Sequence, residues 1–306
     1  MSKTVFLFPG QGSQFVGMAK DVYANSAPAK EMFKRAEEIL DFPLRDYSFE
    51  GPEETLKQTQ YTQPAIFVHS VVMDRLMKEK GISPTATAGH SLGEYSALVS
   101  AGAINFEDGV KLVKIRGELM QVAGEKNPGT MAAIIGMQPD DIEAICKEAS
   151  ESESDLVQPA NFNSPGQVVI SGHVPAVHRA MALAKEKGAR MAKELVVSGA
   201  FHSPLMGDAL RGLEEALQNV TVETPTVAVY SNVEATATTD PEKIRELLKR
   251  QLMSPVRWES ILNNMIADGY GDFYEVGPGK VLQGLLKRTN REYVCKPAGT
   301  LEDLPN

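Results

Sequence analysis

The chain has 306 residues, 42% of them hydrophobic and 23% charged, which is enough for one large domain or two ordinary ones with a sizeable core. Its formal net charge of −9 argues against a nucleic-acid coat and against a general attraction to anionic membranes. The two cysteines, Cys146 and Cys295, are far apart and lack metal-ligand spacing, so we expect a reducing compartment with neither a disulfide framework nor a metal site.

The first predicted element is a buried strand at residues 4–8, a continuous apolar run. This run is too short for a signal peptide, and no later stretch approaches the length of a membrane span, so we expect a cytoplasmic protein. The loop that follows, residues 9–14, is rich in glycine, but Phe15 stands where a dinucleotide fingerprint needs its third glycine. We therefore interpret the loop as a source of backbone N–H groups, including that of Gln11, and expect no cofactor.

Helical patterns follow this loop. They predict helices at residues 15–23, 29–40, 53–59 and 63–80. His69 lies inside the last of these segments and is predicted to be a core or interface histidine.

Gly89, Ser91 and Gly93 form a Gly-x-Ser-x-Gly pattern between a predicted strand at 85–88 and a predicted helix at 94–99. This spacing is typical of a sharp strand-to-helix turn that strains the backbone at the serine and exposes its hydroxyl. The backbone N–H of Leu92 would then face the same space and donate to an oxyanion. The pattern predicts a nucleophilic serine; the alternative is a glycine-rich turn whose serine only caps the helix.

The next predicted helix, residues 107–123, carries one arginine on an otherwise apolar face. Arg116 shares a helical row with Val113, Gly117 and Met120. A buried arginine needs a carboxylate partner, because an unpaired buried charge is costly. Two interpretations remain open: an internal salt bridge or snorkelling side chain, and a bidentate clamp for a substrate carboxylate.

The order of predicted strands and helices changes at Pro128-Gly129. Strands are predicted at residues 130–136, 157–163, 167–171 and 191–197, with helices at 139–150 and 175–187. This β-α-β-β-α-β order predicts a ferredoxin-like subdomain at residues 128–198, inserted into a larger discontinuous domain made of residues 1–127 and 199–306.

His202 follows this insert in a loop between a strand and a helix, where catalytic groups tend to lie. Ser203 and Pro204 are suited to cap and begin that helix. Among the five histidines we expect His202 to be the base, because His90 adjoins Ser91 and neighbours in a tight turn point apart.

The remaining elements complete the large domain. Strands are predicted at residues 227–231 and 272–276, and helices at 241–252 and 280–288. The Gly-Pro-Gly-Lys before the last helix lacks the spacing of a phosphate loop.

Six features stand in a fixed order along nearly the whole chain. They are FPGQGSQ at residues 8–14, GHSLGEY at 89–95, Arg116, NFNSPGQ at 161–167, GAFHS at 199–203 and EVGPG at 275–279. Together they resemble the acyltransferase family of fatty-acid and polyketide synthesis, which includes the free-standing malonyl-CoA:acyl carrier protein transacylases. The resemblance implies an α/β fold whose large α/β-hydrolase-like domain has a parallel-sheet core and a serine nucleophile elbow.

The resemblance also implies roles for individual residues. Ser91 would be the acyl-accepting nucleophile and His202 its general base. Backbone N–H groups of Gln11 and Leu92 would form the oxyanion hole, and Arg116 would pair with the malonyl carboxylate.

Two further roles come from the resemblance alone. Gln251 corresponds to a residue whose main-chain carbonyl orients the histidine in place of a triad acid. Phe201 precedes the histidine, and in related synthase domains a phenylalanine there accompanies malonyl rather than methylmalonyl.

The implied activity is transfer of malonyl from malonyl-CoA to the phosphopantetheine thiol of acyl carrier protein, through a malonyl-serine ester and ping-pong kinetics, by a monomer. An acidic carrier protein would need a basic docking rim, for which the candidates are Lys185, Lys187, Arg190 and Lys193; the alternative is a solvated charged face. Two alternatives remain: a serine thioesterase or hydrolase, and a catalytically silent carrier-binding protein.

Overall fold

The first strand is an apolar run whose successive side chains enter two different cores. In the computed structural model, which describes residues 3–305, Phe6 and Phe8 pack in one hydrophobic core. Val5 and Leu7 pack in a second core on the opposite face of the sheet. Because both faces are covered, the strand needs no polar positions, as expected for a parallel sheet.

Ten strands form two sheets within the described residues. In chain order they are β1 Lys3–Phe8, β2 Ala86–Gly89, β3 Gly129–Ile135, β4 Val157–Ser164, β5 Gln167–His173, β6 Met191–Glu194, β7 Ala228–Tyr230, β8 Ala237–Thr238, β9 Tyr270–Val276 and β10 Cys295–Ala298.

Thirteen α-helices of the described residues connect and cover these strands. They are α1 Lys20–Asn25, α2 Ala27–Leu40, α3 Leu44–Phe49, α4 Glu53–Leu56, α5 Thr59–Glu79, α6 Gly93–Ser100, α7 Phe106–Lys126, α8 Pro139–Ala149, α9 Val174–Glu186, α10 Gly207–Gln218, α11 Pro241–Gln251, α12 Trp258–Ala267 and α13 Val281–Thr289.

The larger sheet has the order β10-β9-β1-β2-β7-β8 and is parallel except for β8, which pairs antiparallel with β7. β1 and β2 are neighbours in register, with Phe8 opposite Gly89 at their carboxyl ends. The loops that leave these two ends are the glycine-rich loop and the serine turn. The sheet therefore brings the two motifs side by side.

The smaller sheet has the order β4-β5-β3-β6, with every pair antiparallel. It shares a third hydrophobic core with α8 and α9. Its outer strand β4 also contacts the larger part of the chain, because Phe162 N–H donates to the Val256 carbonyl at 2.9 Å and Val256 N–H donates to the Ala160 carbonyl at 2.8 Å.

The structure confirms a mixed α/β fold with a parallel-rich sheet and a separate antiparallel sheet. Several predicted elements differ in extent; the helix predicted at 63–80 begins at Thr59, for example, and the one predicted at 53–59 ends at Leu56. The helix expected at residues 15–23 begins only at Lys20, because Gly17 and Ala19 have left-handed φ values of 97° and 61° that an α-helix cannot contain. The strand expected at 191–197 ends at Glu194, where its pairing with β3 ends.

Four of these strands and α-helices, namely α3, α12, β8 and β10, were not predicted from the sequence. Within residues 3–305, none of the helices has the length and apolar character that spanning a bilayer requires.

Candidate active site

Ser91 occupies a strained turn between β2 and α6. Its φ is 51°, in the left-handed region that is costly for a residue with a side chain. The flanking glycines permit the turn by close packing: a Cβ on Gly89 would lie 1.8 Å from the carbonyl carbon of Gly93, and a Cβ on Gly93 would lie 2.1 Å from the Phe8 carbonyl oxygen. These contacts explain why both glycines of the motif are required by the local geometry.

Asn232 holds this turn from the loop after β7. Its Oδ1 accepts from the Ser91 N–H at 2.7 Å, and its Nδ2 donates to the Gly89 carbonyl at 2.6 Å. The side chain is fully buried, so both bonds are shielded from water. Asn232 could not be identified from the sequence, because nothing in its local pattern indicates a contact with a turn 141 positions away.

His202 lies against the Ser91 hydroxyl. Its Nε2 is 2.8 Å from Ser91 Oγ, and its Nδ1 is 2.9 Å from the main-chain carbonyl of Gln251. Because a carbonyl only accepts, the proton of the neutral ring lies on Nδ1, and Nε2 is free to accept the serine proton. Burial, reinforced by the charge of Arg116, lowers the pKa of His202 to about 3, so the ring is neutral at physiological pH.

Arg116 projects from α7 into the same site and is buried. Its Nη1 donates to Gln63 Oε1 at 2.7 Å, and its Nη2 donates to Ser91 Oγ at 3.1 Å and to Gln251 Oε1 at 3.0 Å. No carboxylate of residues 3–305 lies within ion-pair distance of this guanidinium. The structure therefore contradicts the internal salt-bridge interpretation and leaves a buried cation facing the serine.

Gln11 and Leu92 are among the residues that line the same cavity. The backbone N–H of neither residue finds a hydrogen-bond acceptor within residues 3–305. The glycine-rich loop packs directly on the serine turn, since a Cβ on Gly10 would lie 2.3 Å from the His90 carbonyl oxygen. Two unpaired donors beside a serine hydroxyl are suited to stabilise an oxyanion.

A cavity of about 280 Å³ joins these groups. It is lined by the polar side chains of Ser91, Arg116 and His202 and by apolar side chains that include Phe201 and Met131. A small acyl group that carries a carboxylate would place its charge at the guanidinium and its carbon chain along the apolar wall.

Two other histidines have different partners. His69 is buried in the core, with Nε2 2.8 Å from the Gly299 carbonyl. His90 lines the same cavity, but its Nε2 is 2.8 Å from Asn163 Oδ1, and the histidine that bonds the Ser91 hydroxyl is His202.

The candidate docking side chains are all exposed. They are Lys185, Lys187, Arg190 and Lys193. Lys187 pairs with Glu148. Cys146 and Cys295 are free and buried.

Residues 5–303 match the acyl transferase domain family, and the chain belongs to this family. It is similar to the malonyl CoA-acyl carrier protein transacylase of Bacillus subtilis, with 49% identity over 291 residues that cover 95% of this chain and 92% of the relative. The solved malonyl CoA-acyl carrier protein transacylase of Coxiella burnetii superposes with a TM-score of 0.95 at 41% identity, covering 99% of this chain and 95% of that one. A malonyl-transacylase solved in complex with its type II polyketide acyl-carrier protein superposes with a TM-score of 0.94 at 40% identity, covering 99% and 97% of the two chains.

Proposed function

We propose that this chain transfers the malonyl group of malonyl-CoA to the phosphopantetheine thiol of acyl carrier protein. The observation that carries the proposal is the buried Arg116 guanidinium, which has no carboxylate partner among the described residues and donates to the Ser91 hydroxyl. The names of the relatives, which specify malonyl CoA and acyl carrier protein, support the same substrate and partner.

Acylation begins when Ser91 Oγ attacks the thioester carbonyl and its proton passes to His202 Nε2. The Gln251 carbonyl accepts from the protonated ring at Nδ1 and takes the place of a triad acid. The resulting oxyanion accepts from the backbone N–H groups of Gln11 and Leu92. The C–S bond then breaks, the sulfur takes the proton from His202, and CoA leaves as a thiol.

Transfer repeats these steps in reverse order. His202 accepts the proton of the carrier thiol, the sulfur attacks the malonyl-serine ester, and Ser91 recovers its proton as the C–O bond breaks. The products are malonyl-carrier and free enzyme, so the kinetics are ping-pong.

Arg116 provides selectivity for a carboxylate-bearing acyl group. Its Nη2 bonds only neutral oxygens, those of Ser91 and Gln251, so a substrate carboxylate that replaced the Ser91 hydroxyl there would be its first anionic partner. Acetyl-CoA would leave the guanidinium without a carboxylate, so we expect a disadvantage of about tenfold or more. Phe201 lies in the cavity wall directly before the base, and its ring fills space that an α-methyl group would need.

We further propose the finer architecture that the site requires. Residues 128–198 form a ferredoxin-like subdomain inserted into an α/β-hydrolase-like domain of residues 1–127 and 199–306. The strand order β4-β5-β3-β6 and the strained Ser91 turn support this division. The two free, buried cysteines support a reducing, cytoplasmic setting.

Intact-protein mass spectrometry after incubation with malonyl-CoA tests the proposal. We expect a malonyl adduct on the wild type that carrier protein discharges faster than water, and no adduct on Ser91→Ala. Arg116→Ala should acylate with acetyl about as readily as with malonyl, whereas the control Arg211→Ala, at a side chain that is 91% exposed, should keep the malonyl preference.

Two outcomes would contradict the proposal. An adduct lost to water as fast as to carrier protein would indicate a thioesterase or hydrolase. A wild-type protein that takes no adduct would indicate a catalytically silent carrier-binding protein.

A further inference from the structure

Glu94 is a buried carboxyl group that the proposed mechanism does not use. It lies in the first turn of α6, three residues after Ser91, and is 4% exposed. No cation of residues 3–305 forms an ion pair with it, and burial raises its pKa to about 7. A carboxyl group that is buried without a cationic partner destabilises a fold. The contribution of Glu94 must therefore come from its hydrogen bonds to other residues of the site.

A single oxygen of Glu94 makes two contacts. Its Oε2 accepts from Gln251 Nε2 at 2.8 Å and from the backbone N–H of Asn232 at 3.1 Å. Both donors are fully buried, so water does not compete for either bond.

The first contact determines how the Gln251 amide is oriented. Its Nε2 donates to Glu94 and to the Ser91 carbonyl, at 2.8 and 2.9 Å, while its Oε1 accepts from Arg116 Nη2 at 3.0 Å. A reversed amide would direct its NH₂ at the guanidinium and its oxygen at two acceptors. The carboxyl of Glu94 therefore keeps the amide oxygen facing the arginine.

Gln251 connects this orientation to both halves of the site. Its main-chain carbonyl accepts from His202, and its side chain holds Arg116. We infer that Glu94 is a positioning residue that fixes the Gln251 side chain and thereby sets the preference for carboxylate-bearing acyl groups. This inference rests on the proposed function, because it assigns the carboxylate to Arg116.

Two conservative variants separate the charge of Glu94 from its geometry. Glu94→Gln removes the charge but keeps an oxygen at the Oε2 position, with its NH₂ at Oε1. Glu94→Asp keeps the charge but is one methylene shorter, so its oxygens retract from Gln251. Both variants are polar and close in size to the native residue, and thermal unfolding of each verifies that it folds.

The measurement is the ratio of kcat/KM for malonyl-CoA to kcat/KM for acetyl-CoA, with kcat and KM resolved separately. We expect Glu94→Gln to keep the wild-type ratio, and Glu94→Asp to lower it about tenfold, chiefly through a higher KM for malonyl-CoA. A merely structural role would lower the rates with both substrates equally and leave the ratio unchanged.

The outcomes distinguish this inference from the proposed function. A wild type without malonyl transfer contradicts the proposed function itself. With wild-type transfer in place, a Glu94→Asp ratio equal to that of the wild type, or a Glu94→Gln ratio as low as that of Glu94→Asp, overturns the positioning role.

Discussion

The side chain of Gln158 holds the main chain at His202. Its Nε2 donates to the His202 carbonyl at 2.8 Å and to the Met253 carbonyl at 3.3 Å. His202 has a left-handed φ of 57°, so its backbone conformation is strained and needs external support. Gln158 belongs to β4 of the smaller sheet, and this sheet therefore helps to position His202, the proposed base.

We predict that Gln158→Met lowers kcat about three- to tenfold, because the loss of these hydrogen bonds lets the His202 backbone relax. KM for malonyl-CoA should change little, since Gln158 does not contact the carboxylate site. Steady-state kinetics provides the test. The matched control is Gln138→Met, at the exposed glutamine that precedes α8, which should behave as the wild type. Equal kcat values for the two variants would argue against support by Gln158.

The pH profile of acylation should lack the inflection of an ordinary histidine. A base whose pKa is lowered to about 3 is already deprotonated, and so active, throughout the physiological range. We expect kcat/KM for malonyl-serine formation to stay constant between about pH 5 and 8. Rapid-quench measurement of the adduct gives this profile, and a fall on acidification centred near pH 6.5 would contradict it.

The pH profile needs a control for Glu94, because burial raises the pKa of its carboxyl group to about 7, inside the measured range. Protonation at Oε1 leaves the Oε2 acceptor in place, so we expect no kinetic effect. Any inflection near pH 7 that disappears in Glu94→Gln belongs to this carboxyl and not to the base.

The same pKa values predict opposing effects on stability. Between about pH 3 and 6.5, His202 is protonated in the unfolded chain but not in the folded protein. This group therefore makes the free energy of unfolding rise with pH in that range. Glu94 acts in the other direction, because its folded pKa is raised, and its contribution to stability is lost as pH rises from about 4.5 to 7. Urea unfolding of Glu94→Gln should therefore show a steeper rise in stability up to pH 7 than the wild type.

Local patterns made the central features of this site predictable. The strand, the two glycines and the serine stand within nine residues, and their spacing alone predicts the turn around Ser91. Arg116 was also identifiable, since a charge on an apolar helix face has few structural explanations. The lack of a carboxylate partner for Arg116 among the described residues could not be predicted, because it depends on every element that packs around α7.

The residues that support the site were beyond sequence reasoning. Asn232, Glu94 and Gln158 act through contacts that only the tertiary fold creates, and each also fits an ordinary polar position in its own segment. The resemblance identified the main-chain carbonyl of Gln251. It did not identify the contact between the Gln251 side chain and Arg116. The missed strand β10 has a similar cause: its Cys-Lys-Pro-Ala segment becomes a strand through pairing with β9.

The close approach at Gly93 makes a strong prediction for stability. An alanine Cβ would lie 2.1 Å from the Phe8 carbonyl oxygen, a main-chain atom that cannot move without displacing β1. We expect Gly93→Ala to lower the unfolding free energy by about 3 kcal/mol or more. The control is Gly284→Ala in α13, where a Cβ meets nothing within 4 Å. That substitution should raise stability by about 0.5–1 kcal/mol through helix propensity. Urea denaturation compares the two, and equal stabilities would contradict the packing argument.

The bonds of Asn232 predict a variant whose activity increases on acidification. In the wild type, Asn232 Nδ2 donates to the Gly89 carbonyl at 2.6 Å. Asn232→Asp keeps the acceptor for the Ser91 N–H but replaces this donor with a carboxylate oxygen, which repels the Gly89 carbonyl. Burial raises the pKa of the new carboxyl, and its protonated form donates to Gly89 again. We therefore expect the acylation rate of Asn232→Asp to be about tenfold or more below that of the wild type at pH 8. The rate of the variant should recover toward pH 5, whereas the wild-type rate should stay constant over the same range. Asn219→Asp, at an exposed asparagine, should follow the wild type. A pH-independent rate in Asn232→Asp would show that the donor to Gly89 does not hold the serine turn.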